Sequence, residues 1–186
     1  MKRHYTIFIS IIILVCFQNC KPSSEDNSME LIKYEKVNTS SDQLVHMVDK
    51  SGNYFSLDDV LKLNAGKVIY IDIWASWCGP CKAMMPASKT LQEQFKEKEV
   101  VFVYLSIDQQ SAAWEKGSSQ FNLVESNYLV KNYPKASFFQ THNVSSIPRY
   151  FLYDRKGDIV DSYAPRPNST QLAQLINKTL EKPIDN

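Results

Sequence analysis

The stretch VIYIDIWASWCGPCK, residues 68–82, decides how the rest of the chain reads. Its first half, VIYIDIW, is an almost unbroken β-branched and aromatic run, the pattern of a central strand covered on both faces. Its second half sets Cys78 and Cys81 around Gly79 and Pro80, and a helical segment follows. In that segment Ala83, Ala87, Leu91 and Phe95 recur at four-residue intervals and predict a buried stripe. Pro86 lies inside it, removes one backbone donor and predicts a kink. VVFVYLSI, residues 100–107, is the next apolar strand. Strand, helix and strand predict a βαβ unit with parallel strands, the cysteines sitting at the turn into the helix.

On the N-terminal side, LVHMVDKSGNYFSL, residues 44–57, predicts two short strands around the turn KSGN at 50–53. Ser56 followed by Asp59 marks a helix start, and Gly66 its end. On the C-terminal side, residues 109–146 are too long for a simple connection. Helical patches near 112–116 and 135–141 make this an inserted helical segment. Its aromatics Trp114, Phe121, Tyr128, Tyr133, Phe138 and Phe139 read as core, or as a surface that shapes partner choice. RYFLYDRKGDIVDSY, residues 149–163, predicts a hairpin around DRKG at 154–157. Asn168 with Gln171 predicts the capped start of a last helix, whose buried face is Leu172, Leu175, Ile176 and Leu180. No internal repeat is evident.

The chain has 186 residues, enough for one domain with short extensions, and is 44% hydrophobic and 22% charged, as a protein with a packed core is. Its formal charge is +1; without Lys2 and Arg3 the 21 basic residues become 19 against 20 acidic ones, a net of −1. With no basic stripe, nucleic acid is not an expected partner.

The first twenty residues, MKRHYTIFISIIILVCFQNC, are not fold material. A basic start is followed by an apolar run at residues 5–17, shorter than the roughly 20 residues of a spanning helix but right for a signal-peptide core. Cys20 and the polar KPSSEDNS come next. This order resembles a bacterial lipoprotein signal, in which the cysteine becomes the lipidated first residue, although Phe17 and Asn19 depart from the usual pattern. The expected organisation is a signal peptide at 1–19, lipidated Cys20 with a flexible tether at 20–39, and one domain at 40–186. An uncleaved anchor is the alternative, and Cys16 is a weaker lipidation site. A lipid-anchored domain on the periplasmic side of a bacterial membrane is the corresponding location.

With Cys16 removed and Cys20 lipidated, Cys78 and Cys81 are the cysteines of the folded part. A lone pair cannot supply the four ligands of a structural zinc site, and His46 and His142 stand at unrelated positions, so no metal or other cofactor is expected. As a structural staple the pair is also poor, because the loop it closes is too short to remove much unfolded-chain entropy. A redox role is the favoured reading.

WCGPCK, residues 77–82, matches the thioredoxin active-site motif, and Pro86 matches that family's kinking proline. The N-terminal hairpin, the central insertion, SSIPR at 145–149 and APRP at 164–167 resemble the TlpA/ResA-like branch of membrane-tethered thiol-disulfide oxidoreductases. The resemblance covers residues 40–182. It implies an α/β, thioredoxin-like fold: a central mixed sheet flanked by helices, with an N-terminal hairpin and a central helical insertion.

Physical chemistry explains the spacing. Cys78 falls at a helix N-terminus, where free N–H groups and the positive dipole end favour a thiolate, so it is the expected nucleophile. Cys81, one turn on and buried, is the expected resolving thiol. Gly79 lets the loop turn tightly, and Pro80 suits the first helical turn. An ionised Asp72 inside VIYIDIW is costly to bury. Either it is hydrogen-bonded in a polar pocket, or, as the resemblance implies, it is the buried acid behind the cysteines that accepts the Cys81 proton. Tyr104 stands where the family carries a lysine. The resemblance also implies that Pro148 is cis and that the Ile147 backbone pairs with an incoming peptide, with Trp77 bordering the same surface. Arg149 can meet acidic substrate groups or be an ordinary surface arginine. Trp74 belongs either to that surface or to the core.

Gly-Pro between the cysteines resembles reducing thioredoxins, and no histidine stands there as in the oxidising periplasmic family. The expectation is reduction of disulfides in exported proteins, for example of apocytochrome c before haem attachment, with an upstream membrane thiol donor. An oxidase or isomerase is the alternative within redox chemistry. A lipid-anchored, non-catalytic binding module is the alternative outside it. A peroxidase would want a cysteine in a threonine-containing loop, which WCGPC is not.

Overall fold

The computed structural model describes residues 31–183 apart from Val124. The expected signal peptide, Cys16, the lipidation site Cys20 and the tether as far as residue 30 lie outside the described residues. Among the described residues no helix is long and apolar enough to cross a membrane.

In chain order the elements are β1 (His46–Val48), β2 (Tyr54–Ser56), α1 (Leu57–Leu63), β3 (Val68–Trp74), α2 (Gly79–Phe95) and β4 (Val100–Ser106). Then come α3 (Ser111–Gln120), β5 (Asn127–Val130), α4 (Ser137–Thr141), β6 (Arg149–Tyr153), β7 (Ile159–Asp161) and α5 (Thr170–Leu180). The strands form one seven-stranded sheet in the order β2-β1-β5-β4-β3-β6-β7. β3, β4 and β5 run parallel, and every other pairing is antiparallel. This is a thioredoxin-like α/β fold with a mixed sheet.

All seven residues of β3 are buried, as an apolar strand at the centre of a sheet requires. Val68 and Tyr70 of β3 and Tyr150 and Leu152 of β6 pack under Leu91 and Phe95 of α2 and Leu172 and Ile176 of α5. On the opposite face Phe138 of α4 lies 4.9 Å, ring to ring, from Phe151. Ser56 and Asp59 close a reciprocal capping box on α1: Ser56 Oγ accepts the Asp59 N–H at 3.1 Å, and the Asp59 carboxylate accepts the Ser56 N–H at 2.8 Å.

Four expectations are corrected. The buried stripe of α2 is Cys81, Met85, Ser88, Leu91 and Phe95, with Ala83 exposed. Each four-residue step overshoots a helical turn by about 40°, so three steps back from Phe95 carry Ala83 about 120° toward solvent. The insertion is not wholly helical, for it contributes β5, paired to β4 on one side and β1 on the other. The cap of α5 is Ser169, whose Oγ accepts the Gln171 N–H at 3.2 Å, because the helix begins at Thr170. Finally, residues 32–34 join the hairpin and are not tether: Lys33 bridges Asn53, and the Tyr34 N–H donates to Gly52 O at 3.1 Å.

Candidate active site

Cys78 is the N-cap of α2, with extended backbone (φ −79°, ψ 100°). Its Sγ accepts the Cys81 N–H at 3.1 Å, one of the donors a helix start leaves unpaired. Gly79 and Pro80 form the first two helical positions, where proline loses no helical hydrogen bond. Cys78 and Cys81 are joined as a disulfide with a Cα–Cα distance of 5.3 Å. Cys81 is fully buried, Cys78 is 4% exposed, and Trp77 beside them is 65% exposed. Trp74 is fully buried, which places it in the core.

The turn that delivers Cys78 is held by a residue that sequence reasoning missed. Asp108, buried just beyond β4, accepts the Ser76 N–H at 2.9 Å, the Ser76 hydroxyl at 2.8 Å and the Ser106 hydroxyl at 2.8 Å. The α3 helix presses on the same turn through Gly117, where an added Cβ would lie 2.8 Å from Ser76 Cβ. An acid two residues after an apolar strand is the only signal in the sequence, and it does not name a partner 32 positions away.

Asp72 pairs in register with Tyr104 of β4 and Tyr150 of β6, on the face that α2 covers. Among the described residues neither carboxyl oxygen has a hydrogen-bond partner, and both are buried, so a hydrogen-bonded polar pocket is not what surrounds it there. Burial pushes its pKa up to about 8. Tyr104 does not bond to it; its hydroxyl shares a 2.6 Å hydrogen bond with Ser88 and accepts from Gln92 Nε2 at 2.7 Å.

The Ile147–Pro148 peptide is cis, and so is Tyr133–Pro134, which sequence reasoning did not anticipate. A groove of about 790 Å³ runs between them and the cysteine turn, lined by Trp77, Asp108, Gln110, Tyr133, Pro134 and Ile147 among others. Arg149 is not an ordinary surface arginine: Nε donates to Ser162 O at 2.9 Å and Nη2 to His142 O at 3.0 Å, tying down both sides of the proline loop.

A thioredoxin-like sheet, a Cys-Gly-Pro-Cys disulfide at the start of α2 and a cis-proline loop beside the same groove define a thiol-disulfide oxidoreductase. The Redoxin family model matches residues 35–176. The thiol-disulfide oxidoreductase ResA of Bacillus cereus is 26% identical over 132 residues, 71% of this chain and 72% of that protein. The ResA of Oceanobacillus iheyensis is 26% identical over 163 residues, 85% of this chain and 80% of that protein. The crystal structure of a candidate thiol-disulfide oxidoreductase from Bacteroides vulgatus superposes with a TM-score of 0.62 at 34% identity, covering 74% of this chain and 92% of that one. The chain belongs to the Redoxin family, as a TlpA/ResA-like thiol-disulfide oxidoreductase.

Proposed function

We propose that the protein reduces disulfides of exported proteins, with Cys78 as nucleophile, Cys81 as resolving thiol and Asp72 as proton acceptor. The observation that carries this reading is the bond from the Cys81 N–H to Cys78 Sγ at the start of α2, a donor and a helix end that both favour a sulfur anion. In the first exchange the Cys78 thiolate attacks one substrate sulfur, an Sγ–S bond forms, and the other substrate sulfur leaves as a thiolate. In the second, the Cys81 thiol gives its proton to the Asp72 carboxylate and attacks Cys78 Sγ. The mixed disulfide breaks, the second substrate thiolate leaves, and Cys78–Cys81 becomes the disulfide. Two electrons pass from enzyme to substrate, and a membrane thiol donor restores the dithiol. Trp77, Gly79, Pro80, Ile147 and Pro148 form the docking surface, with the Ile147 backbone pairing with the substrate chain.

The same reading places the domain, residues 40–186 with the short lead-in from residue 32, on the periplasmic side of a membrane. Removal of residues 1–19 and lipidation of Cys20 would hold it there. The disulfide of oxidised apocytochrome c, reduced to the two thiols that haem attachment needs, is one substrate of the required chemistry. Insulin-disulfide reduction with dithiothreitol tests the core of the proposal. Wild type should accelerate it and Cys78→Ser should not; equal rates would leave a non-catalytic binding module instead. Palmitate labelling that survives Cys20→Ala would remove the lipid assignment.

A further inference from the structure

The loop carrying Pro148 separates the Trp77 groove from a second depression that the chemistry above does not use. Ser145 and Ser146 line both. Beyond them lie a hollow of about 430 Å³ that includes His142, Arg149 and Tyr163, and one of about 160 Å³ that includes Pro148, Arg149, Tyr163 and Arg166. Among the described residues no aspartate or glutamate lines either hollow. The nearest acid in sequence, Asp161, is engaged with the Tyr163 N–H at 2.7 Å. Among the described residues neither arginine forms an ion pair.

Arg149 is held rigidly. Its guanidinium lies 4.1 Å from the centroid of the Tyr163 ring and 5.5 Å from that of Phe151. Its two carbonyl contacts use two of the five guanidinium N–H donors, and the other three have no partner among the described residues. Arg166 is exposed, and Tyr163 is 72% exposed, so the shelf is open to a ligand. The local field is positive: His142 is pushed below its ordinary pKa by burial and then by the Arg149 charge. A fixed, planar cation with free donors beside a second cation suits a carboxylate, which it can grip with two parallel bonds.

Arg149 follows Pro148 directly in the chain. A peptide paired with the Ile147 backbone therefore brings its side chains within about two residue lengths, roughly 7 Å, of the shelf. What reaches the shelf is an internal stretch of polypeptide, and its anionic side chains at neutral pH are those of aspartate and glutamate. We propose that the Arg149–Tyr163–Arg166 shelf is a specificity site, which selects disulfide substrates carrying an aspartate or glutamate within two residues of the attacked cysteine. This rests on the docking of substrate at Ile147 proposed above.

The test uses synthetic peptides with one cysteine in a mixed disulfide with a reporter thiol and a flanking Glu, Gln or Lys, reduced by the dithiol form of the whole domain. Wild type should reduce the Glu peptide with a kcat/KM about fivefold above that of the Gln peptide, and the Lys peptide more slowly than either. Screening at about 0.5 M NaCl should shrink that ratio. In Arg166→Glu, an exposed and therefore foldable change, the Glu preference should disappear or invert. Reduction of the Gln and Glu peptides at equal rates by wild type, or a Glu preference unchanged in Arg166→Glu, overturns the specificity site while leaving the enzyme reading intact. No reduction of any peptide would instead overturn the enzyme reading itself.

Discussion

Asp72 stands opposite Tyr104 in the parallel pairing of β3 with β4, and the tyrosine hydroxyl turns away from it to Ser88 and Gln92. The carboxyl is thus flanked by aromatic rings where the family pattern would supply a cation. Burial pushes its pKa up to about 8, and nothing at this position lowers it again.

This sets the pH dependence of stability. The folded pKa lies above the unfolded one, so the unfolded chain ionises first as pH rises. The neutral Asp72 favours folding fully below about pH 4, and that contribution is lost as pH climbs through the folded value near 8. Asp72→Asn should therefore be nearly neutral at low pH and stabilising by up to about 5 kcal/mol at pH 8 in urea denaturation. A stability gain independent of pH would show that folding does not raise the Asp72 pKa.

In the proposed mechanism the same acid governs the second exchange step. Only its ionised form accepts a proton, so the rate at which Cys81 resolves a mixed disulfide should rise with pH up to about 8. Asp72→Asn should slow that step about 10²-fold and leave the first exchange nearly unchanged. Stopped-flow measurement of the two phases checks this, and equal slowing of both removes the proton-acceptor role.

Asp108 holds Ser76 and so the turn into Cys78. Asp108→Ala leaves the Ser76 and Ser106 hydroxyls and the Ser76 N–H without their acceptor. We expect a loss of about 2–3 kcal/mol of stability and slower first exchange, because the nucleophile is no longer held in place. Chemical denaturation together with insulin reduction reads both effects.

Gly117→Ala reaches the same turn from α3. The new Cβ would press on Ser76 Cβ at 2.8 Å and the Trp74 ring at 3.2 Å. A cost of about 1–3 kcal/mol is expected from overpacking, measurable as a lowered Tm.

Local chemistry made much of this legible. VIYIDIW could only be a central strand, the Ser56–Asp59 spacing announced its capping box, and WCGPC before a helix placed the cysteines. What the sequence concealed was non-local. β5 has only four residues, and its first, Asn127, is polar, yet it is buried because Trp114 Nε1 donates to its side chain at 3.1 Å and that side chain donates to Ser118 at 2.7 Å. From sequence Arg149 reads equally as a contact for acidic substrate groups and as an ordinary surface arginine, because its two carbonyl acceptors lie on loops at residues 142 and 162. Asp108 was silent for the same reason, since its function is a contact across the sheet.

The most direct measurement is the titration of the Cys78 sulfur in Cys81→Ser, followed by thiolate absorbance against pH. The helix start should hold its pKa below about 7.5, against about 8.5 for a free cysteine. A midpoint at or above 8.5 would contradict the account, because the helix start would then do nothing to make Cys78 the attacking thiolate.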